Sequence, residues 1–249
     1  MSAFPNILFG PDQEIYNTYT DRRFTLGQSL QMLDGRRFRF NLAGAVALVA
    51  STLQQSGVPV ANHILQTPAA AAVGAQSVAV ALGATAVVAD QYRDGQLLIT
   101  AGNTGEGYSY PVDTHAAVTS SGTFTVPLKR GTTVQVAIGT TANSASLYSN
   151  PFWKTVVAAT AYTSPVVGVA VGATAIGSYG WLQTRGLTPI RSDNTTTVVG
   201  QPVVASAATA GDCALASATI ATTITQPVIG NIIAIGSSAH TALVDLHLE

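Results

Sequence analysis

From about Thr67 onward the chain is written in short runs of Val, Ile, Leu, Thr and Tyr separated by Gly, Pro, Asn and Asp. Strand side chains alternate between faces, so apolar residues at period two mark a strand with one buried side. Residues 77–82 alternate small apolar side chains. Tyr108, Tyr110 and Val112 share a face, as do Phe124, Val126 and Leu128, and residues 133–138 alternate Val134 and Val136 with Gln135 and Ala137. Further predicted strands cover residues 96–100, 154–159, 166–171, 179–183, 203–206, 228–235 and 241–248. Turn material stands between them at Gly102-Asn103-Thr104-Gly105, Lys129-Arg130-Gly131, Asn150-Pro151, Gly172-Ala173, Asp193-Asn194 and Gly236-Ser237. Many strands at near-regular spacing, with no long helical pattern between them, predict a mainly β fold, a β-sandwich or a barrel-like domain.

The first 42 residues read differently. They carry Arg22, Arg23, Arg36, Arg37 and Arg39 among Asp12, Glu14, Asp21 and Asp34, and they hold both methionines. This segment is expected to be an N-terminal arm or small leading subdomain. Residues 43–249 are then the β-rich structural domain, as one body or as two β-subdomains. Asp34-Gly35 signals a turn into a strand on which Phe38 and Phe40 face one way and Arg37 and Arg39 the other. Residues 43–56 are Ala- and Leu-rich without Pro, with Val46, Val49 and Leu53 at helical spacing, and predict one short helix ended by Gly57-Val58-Pro59. Gly-Ala-Thr-Ala recurs at Gly83 and Gly172, which a biased composition explains by chance, so no clean internal repeat is expected.

Composition adds one strong constraint. Charged residues are 9% of the chain, against roughly a quarter in ordinary soluble domains. With 47% apolar residues a core can form. Such a chain either covers itself with Thr, Ser, Asn and Gln or hides surface against partners. The net charge of −1 offers no overall field for nucleic acid. The stretches 69–89 and 155–181 lack charge, but their Ala, Val, Gly, Thr and Ser read as strands and turns and not as membrane spans. Residues 1–10 lack the basic start of a signal peptide. Cys213 is the single cysteine, read as a small partly buried residue and not as a reactive thiol.

Candidate chemistry is sparse. The histidines are His63, His115, His240 and His247. Asp113 with His115, and Asp245 with His247, lie two apart on a strand face, where each pair could orient an imidazole or ligate a metal. An exposed or hydrogen-bonded polar face is the reading preferred. No His-x-x-x-His, Cys-x-x-Cys or Gly-x-Ser-x-Gly pattern occurs. The glycine-rich run from Gly102 to Gly107 lacks a lysine and leads into a strand, so it reads as a wide hairpin turn and not as a phosphate loop. A glycosidase needs two facing carboxylates, and Glu106 is the only glutamate between Glu14 and the C-terminus. No enzymatic activity, cofactor or metal is expected. The arginines at 22, 23, 36, 37 and 39 are the sharpest charged feature. They read equally as an anchor for acidic groups on a partner protein or as charge on a solvated edge strand, with phosphate contact to nucleic acid ranked well behind. Tyr92, Tyr108, Tyr110, Trp153, Tyr179 and Trp181 could stack on sugars, or fill the core.

An ordered set of segments carries a resemblance over most of the chain. Asp34-Gly35-Arg36-Arg37-Phe38-Arg39-Phe40 leads into Ala43-Gly44, followed by Pro59-Val60-Ala61-Asn62-His63, Gln91-Tyr92 and Gly105-Glu106-Gly107-Tyr108. Then come Val126-Pro127-Leu128, Ser149-Asn150-Pro151-Phe152, Val166-Val167-Gly168-Val169-Ala170, Tyr179-Gly180-Trp181-Leu182-Gln183-Thr184-Arg185-Gly186 and Pro227-Val228-Ile229-Gly230. In this the chain resembles phage virion proteins, especially of marine phages, of the capsid decoration, cement or knob type. The resemblance implies a structural protein on the capsid surface of a virion, with no catalytic residues. Its partners would be the major capsid protein and itself, as a homotrimer, with neither nucleic acid nor membrane. Docking would fall to Arg22, Arg23, Arg36, Arg37 and Arg39, and residues 43–249 would fold without the arm. The alternatives are a tail- or fibre-associated structural protein and a host-glycan-binding module.

Overall fold

The computed structural model describes residues 7–102, 104–139, 143–193, 198–216, 227–235 and 241–249. Strand makes up 43% and helix 3%, so the fold is mainly β, with several sheets in a sandwich-like arrangement. The strands are β1 (Ile7–Phe9), β2 (Ser29–Gln31), β3 (Arg37–Leu42), β4 (Leu53–Gln55), β5 (Ser77–Ala81), β6 (Gln96–Ala101), β7 (Ser109–Pro111) and β8 (Thr123–Pro127). They continue as β9 (Ser144–Tyr148), β10 (Val156–Val157), β11 (Val166–Ala170), β12 (Tyr179–Arg191), β13 (Pro202–Ala205), β14 (Cys213–Leu215), β15 (Val228–Ile235) and β16 (Thr241–His247). Two units divide the chain: Met1–Gly57 with Pro151–Glu249, and Val58–Asn150 between them in sequence.

The first unit is built on an eleven-stranded sheet in the order β1-β2-β3-β12-β16-β15-β13-β14, with β11, β4 and β10 attached through β12. Its spine is β12. Tyr179 to Arg185 pair with β3 on one edge. On the other edge β12 pairs with β11 at Leu182 and Gln183, then with β16 from Arg185 to Arg191. Residues that alternate along this spine fill two cores. Phe38, Phe40, Leu42 and Trp181 join Ile15, Leu26, Leu30 and Met32 in one. Ile190, Val203, Ile229, Ile232, Val244 and Leu246 meet Leu53 and Val169 in another, so the sheet curls over itself. Phe40 is fully buried, stacked 5.5 Å from Tyr179 and edge-on to Phe24 at 5.2 Å and Trp181 at 5.1 Å.

Residues 7–42, expected as an arm, are strands and core of this unit. The divisions of the chain fall after Gly57 and after Asn150 instead of at residue 42. Removing residues 1–42 would take β2, β3 and most of an aromatic core, so the expectation that residues 43–249 fold alone does not fit this architecture. The Asp34-Gly35 turn is as expected: it closes the β2–β3 hairpin, with Gly35 at φ +87° and the Gly35 amide donating to the Met32 carbonyl at 3.1 Å.

The second unit packs the β5–β8 pair against the three-stranded sheet β7-β6-β9. Val78, Val80, Phe124 and Val126 from the pair share one core with Leu97, Ile99, Tyr110, Ala145 and Leu147 from the other sheet. This is a small sandwich, its inner faces supplied by alternating residues read in the sequence together with Ala145 and Leu147 of β9, a strand the sequence reading does not contain. Residues 133–138 are not a strand. Val134 and Ile138 are buried and bond to Ala75 and Ala71, while Gln135 and Ala137 between them are exposed, so the alternation breaks into a bend.

The helix expected over 43–56 is absent. Backbone partners there come from distant segments: the Gly44 amide donates to the Thr155 carbonyl and the Leu48 amide to the Thr174 carbonyl, both at 2.8 Å. Ser51 at φ 62° breaks any helical run, and Val46 and Val49, on the expected buried face, are 55% and 49% exposed. β-branched side chains and the lack of charged pairs leave a helix nothing local to hold it.

The segment instead belongs to a recurring unit. Leu48 and Thr174, Val87 and Val118, and Ala71 and Ile138 form isolated antiparallel bridges, each with reciprocal amide–carbonyl bonds. After five of these residues a tight turn closes, from Thr52 to Val49, Gln91 to Val88, Gly122 to Thr119, Ala75 to Ala72 and Ser178 to Ala175. The third turn residue has positive φ every time: Ser51, Asp90, Ser121, Gly74 and Gly177. A strand follows. The sequence does therefore hold a repeat, between Gly44-Ala45-Val46-Ala47-Leu48-Val49-Ala50-Ser51 and Gly83-Ala84-Thr85-Ala86-Val87-Val88-Ala89-Asp90. The Gly-Ala-Thr-Ala at Gly172 is out of step with it, since its bridge falls on Thr174.

Candidate functional site

Three of the five arginines named from the sequence lie at the start of β3, and their environments differ. Arg36 is held by its own turn: its Nε sits 2.5 Å from Asp34 Oδ2. Arg39 is consumed inside the unit. Its Nε donates to Glu249 Oε1 at 3.0 Å, Nη2 donates to the other carboxylate oxygen, and Nη1 donates to the Gly27 carbonyl at 2.9 Å. Burial works against ionising Glu249, but the Arg39 and Thr184 hydrogen bonds and the Arg39 and Arg37 charges hold its carboxyl below the ordinary value. Arg22 donates to the Phe24 carbonyl at 3.2 Å, and Arg23 lies 4.8 Å over the Tyr19 ring. Both belong to the loop before β2. The Arg37 guanidinium makes no hydrogen bond or ion pair among the described residues.

A residue outside the sequence-based set joins Arg37. Arg185 on β12 stands directly opposite Arg37 on β3 and, across its other edge, opposite His247 on β16. The cause is a β-bulge. Pairing runs Gln183 to Phe38 and then Arg185 to Arg37, so Thr184 is the extra residue. A bulge bends a strand and re-aims the side chains beyond it. The irregular backbone is secured from below by Gln183, whose buried amide nitrogen lies 3.0–3.2 Å from the carbonyls of Arg185, Gly186 and Leu187. Thr184 Oγ1 lies 3.3 Å from the Arg37 carbonyl and bonds Glu249 as well. Gly186 has φ +86°, and a Cβ there would meet Arg36 Cγ at 3.0 Å, so only glycine suits this crossing. Arg185 is exposed and Arg37 half-buried. Beside them an open depression is lined by Asp34, Arg36, Gly186, Leu187 and Asp245, with Leu187 50% exposed.

The histidine pairs separate. His247 Nε2 lies 3.0 Å from Asp245 Oδ2, an exposed contact on one strand face. Asp113 does not meet His115. Instead, the His115 amide donates to Asp90 Oδ1 at 3.0 Å, and His115 Nε2 accepts from the Tyr92 amide at 3.0 Å. His63 is fully buried between the Tyr92 hydroxyl and the Thr85 carbonyl. His240 lies outside the described residues. Groups of three or more His, Cys, Asp or Glu able to hold a metal do not occur among the described residues. Cys213 is buried, and its thiol is pushed up to about 12 by burial and by Asp193 and Asp212, which keeps it un-ionised at neutral pH.

The glycine-rich run links the antiparallel strands β6 and β7, as a hairpin connection; Asn103 within it lies outside the described residues. Of the six aromatics considered for sugar stacking, Tyr92, Tyr110 and Trp181 are core residues, Trp153 and Tyr179 are half-buried, and Tyr108 is 43% exposed. No helix among the described residues is long and apolar enough to cross a membrane.

Comparison with family models, with curated proteins and with solved structures returned no match.

Proposed function

We propose that this chain is a structural protein of a bacteriophage virion that binds the outer surface of the capsid and stabilises it. The observation that carries the reading is a surface unlike that of a free monomer. Charge is 9% of the chain, and large apolar side chains stand exposed in both units: Phe9, Leu33 and Ile176 in one, Leu65 and Val73 in the other. Leu33, at the tip of the β2–β3 hairpin, is 103% exposed. The ordered segments that resemble decoration, cement and knob proteins point the same way. A cement protein works by adding interface. A standard interface buries roughly 1,600 Å² in total, and repetition over a symmetric shell multiplies its effect through many simultaneous contacts. In this reading the partners are the major capsid protein and two further copies of the chain, as a trimer at a local symmetry axis.

Cryo-electron microscopy of particles carrying this chain tests the proposal. Density for the chain in many icosahedrally placed copies on the outer shell supports it. Density confined to the tail or to one vertex overturns it and moves the chain to the tail- or fibre-associated class.

A further inference from the structure

We infer that Arg37 and Arg185 form a two-guanidinium clamp for a carboxylate side chain on an acidic segment of a partner protein. This deepens the assembly reading above and rests on it.

The register is the starting point. Side chains directly opposite across antiparallel strands are close neighbours, and like charges there are destabilising. Here two guanidiniums stand opposite each other, with His247 next in the same row. The arrangement is built: the Thr184 bulge brings Arg185 into register with Arg37, and Gln183 and Gly186 hold the bulge. Neighbouring charges are already matched: Arg36 with Asp34, Arg39 with Glu249, His247 with Asp245. Glu249 accepts from both Arg39 and Thr184, which leaves Arg37 only its longer-range field. The guanidiniums of Arg37 and Arg185 are thus the two side-chain cations of this face with no hydrogen bond or ion pair among the described residues.

An anion between them removes the repulsion and takes a bidentate hydrogen bond from each planar fork. The same surroundings choose the class of anion. Glu249 lies in the field of Arg37, and Asp34 and Asp245 line the depression formed with Arg36 and Gly186, the chain neighbours of the pair, so a phosphate polymer tracking across the face would meet three carboxylates. A single carboxylate on a peptide meets only the clamp. The adjoining depression, with Leu187 exposed in it, offers an apolar wall for the methylenes of a glutamate. The partner chemistry is therefore a protein segment bearing Asp or Glu, not nucleic acid.

The probe is a hexaglutamate peptide, titrated at low salt into the full chain and followed by NMR, with a ten-nucleotide oligothymidylate as the phosphate comparison. Hexaglutamate is expected to bind more tightly than the oligonucleotide. Arg37→Gln and Arg185→Gln should each weaken it about tenfold or more, while Arg130→Gln, in an exposed turn, leaves it unchanged. Arg185→Lys, which keeps the charge without the fork, should fall between. Equal binding by wild type and both Gln variants, or tighter binding of the oligonucleotide, overturns the clamp. Co-sedimentation with phage particles separates the two levels. If the wild type and the doubly substituted chain bind particles equally, the clamp is wrong and the capsid reading survives. If the wild type does not bind particles yet hexaglutamate binding keeps its dependence on both arginines, the capsid reading fails and the clamp stands.

Discussion

Substituting Tyr92 with Phe removes a hydroxyl that meets His63 Nδ1 and accepts from Gln91 Nε2 at 3.3 Å, and a double-mutant cycle isolates the buried His63 contact. His63 has no exposed surface, and its ring is used at both nitrogens: Nδ1 lies 2.5 Å from the Tyr92 hydroxyl and Nε2 lies 2.9 Å from the Thr85 carbonyl. A carbonyl can only accept, so Nε2–H donates to Thr85, and in the tautomer that leaves Nδ1 bare the phenol donates to it. Burial pushes the Tyr92 phenol far above its usual range, so the donor keeps its proton. Phenylalanine keeps the ring and its packing against Phe124 at 6.3 Å, but it strands Nδ1 in the interior. Leaving a buried acceptor unmade costs about 1–3 kcal/mol. That corresponds to roughly 5- to 140-fold faster opening-limited amide exchange. Both tryptophans, Trp153 and Trp181, lie in the first unit, so their emission reports that unit alone. Hydrogen exchange by mass spectrometry over residues 58–150 is therefore the assay, with Trp fluorescence in urea as the internal control. Repeating Tyr92→Phe in a His63→Leu background completes a cycle, because the hydroxyl then has no imidazole to serve. A coupling of at least about 0.5 kcal/mol is expected, and a Tyr92→Phe effect equal in both backgrounds would refute the reasoning.

Four other outcomes follow from the first unit and from the sandwich. Glu249 has its carboxyl held below its ordinary value of 4.5, so its contribution is present above that value and is lost as pH falls through the lower, folded value. Urea midpoints measured from pH 6 downward should fall more steeply in wild type than in Glu249→Gln, and parallel curves would contradict the Arg39 pairing. Phe40→Ala empties the centre of the aromatic core and should destabilise the first unit by about 3–5 kcal/mol in urea unfolding followed by Trp emission. Gly95→Ala would set a Cβ 2.2 Å from the Tyr148 carbonyl oxygen and 2.9 Å from that of Tyr92, both backbone atoms, and should cost about 3 kcal/mol in exchange protection of the second unit. By contrast, Gly172→Ala meets nothing within 4 Å and should leave stability within about 0.5 kcal/mol.

What could be read from the residues was whatever local alternation encodes. β5, β8 and β16 bury one face each, and β3 alternates Phe38 and Phe40 with half-buried arginines, so period two marks them. β4 and β14 are three residues long and buried largely by what crosses them, and β9 is Ser- and Ala-rich, so none of these carries an alternating signal. The sequence predicts a strand over 179–183, and β12 runs on to Arg191. It continues because Gly186 supplies the positive φ the bend requires and Pro189 is tolerated opposite Leu243. The arginine-rich start of β3 was legible as a feature. Its division into matched and unmatched charges was not, because Glu249 lies 210 residues from Arg39 and a bulge on another strand brings up Arg185. Such pairings are properties of register, which no local window contains.

The split of the first unit, with β1 to β4 before the sandwich and β10 to β16 after it, has a consequence for synthesis. β3 pairs early with β2 but waits for β12, and β4 waits for β10 and β11, so well over half of the chain emerges before either edge is closed. The sandwich, by contrast, has all its strands once Asn150 is out. Domains fold as they emerge from the ribosome, and pairings between distant segments form slowly because loop closure must come first. The nascent chain thus carries a finished module in the middle of an unfinished one. In the first unit Gly57 and Trp153 come together, a Cβ at Gly57 lying 3.4 Å from the Trp153 carbonyl oxygen, so the module leaves and re-enters at almost one point. Early folding of the insert shortens the loop that β3 and β12 must close, and brings the two halves of the larger sheet within reach of each other.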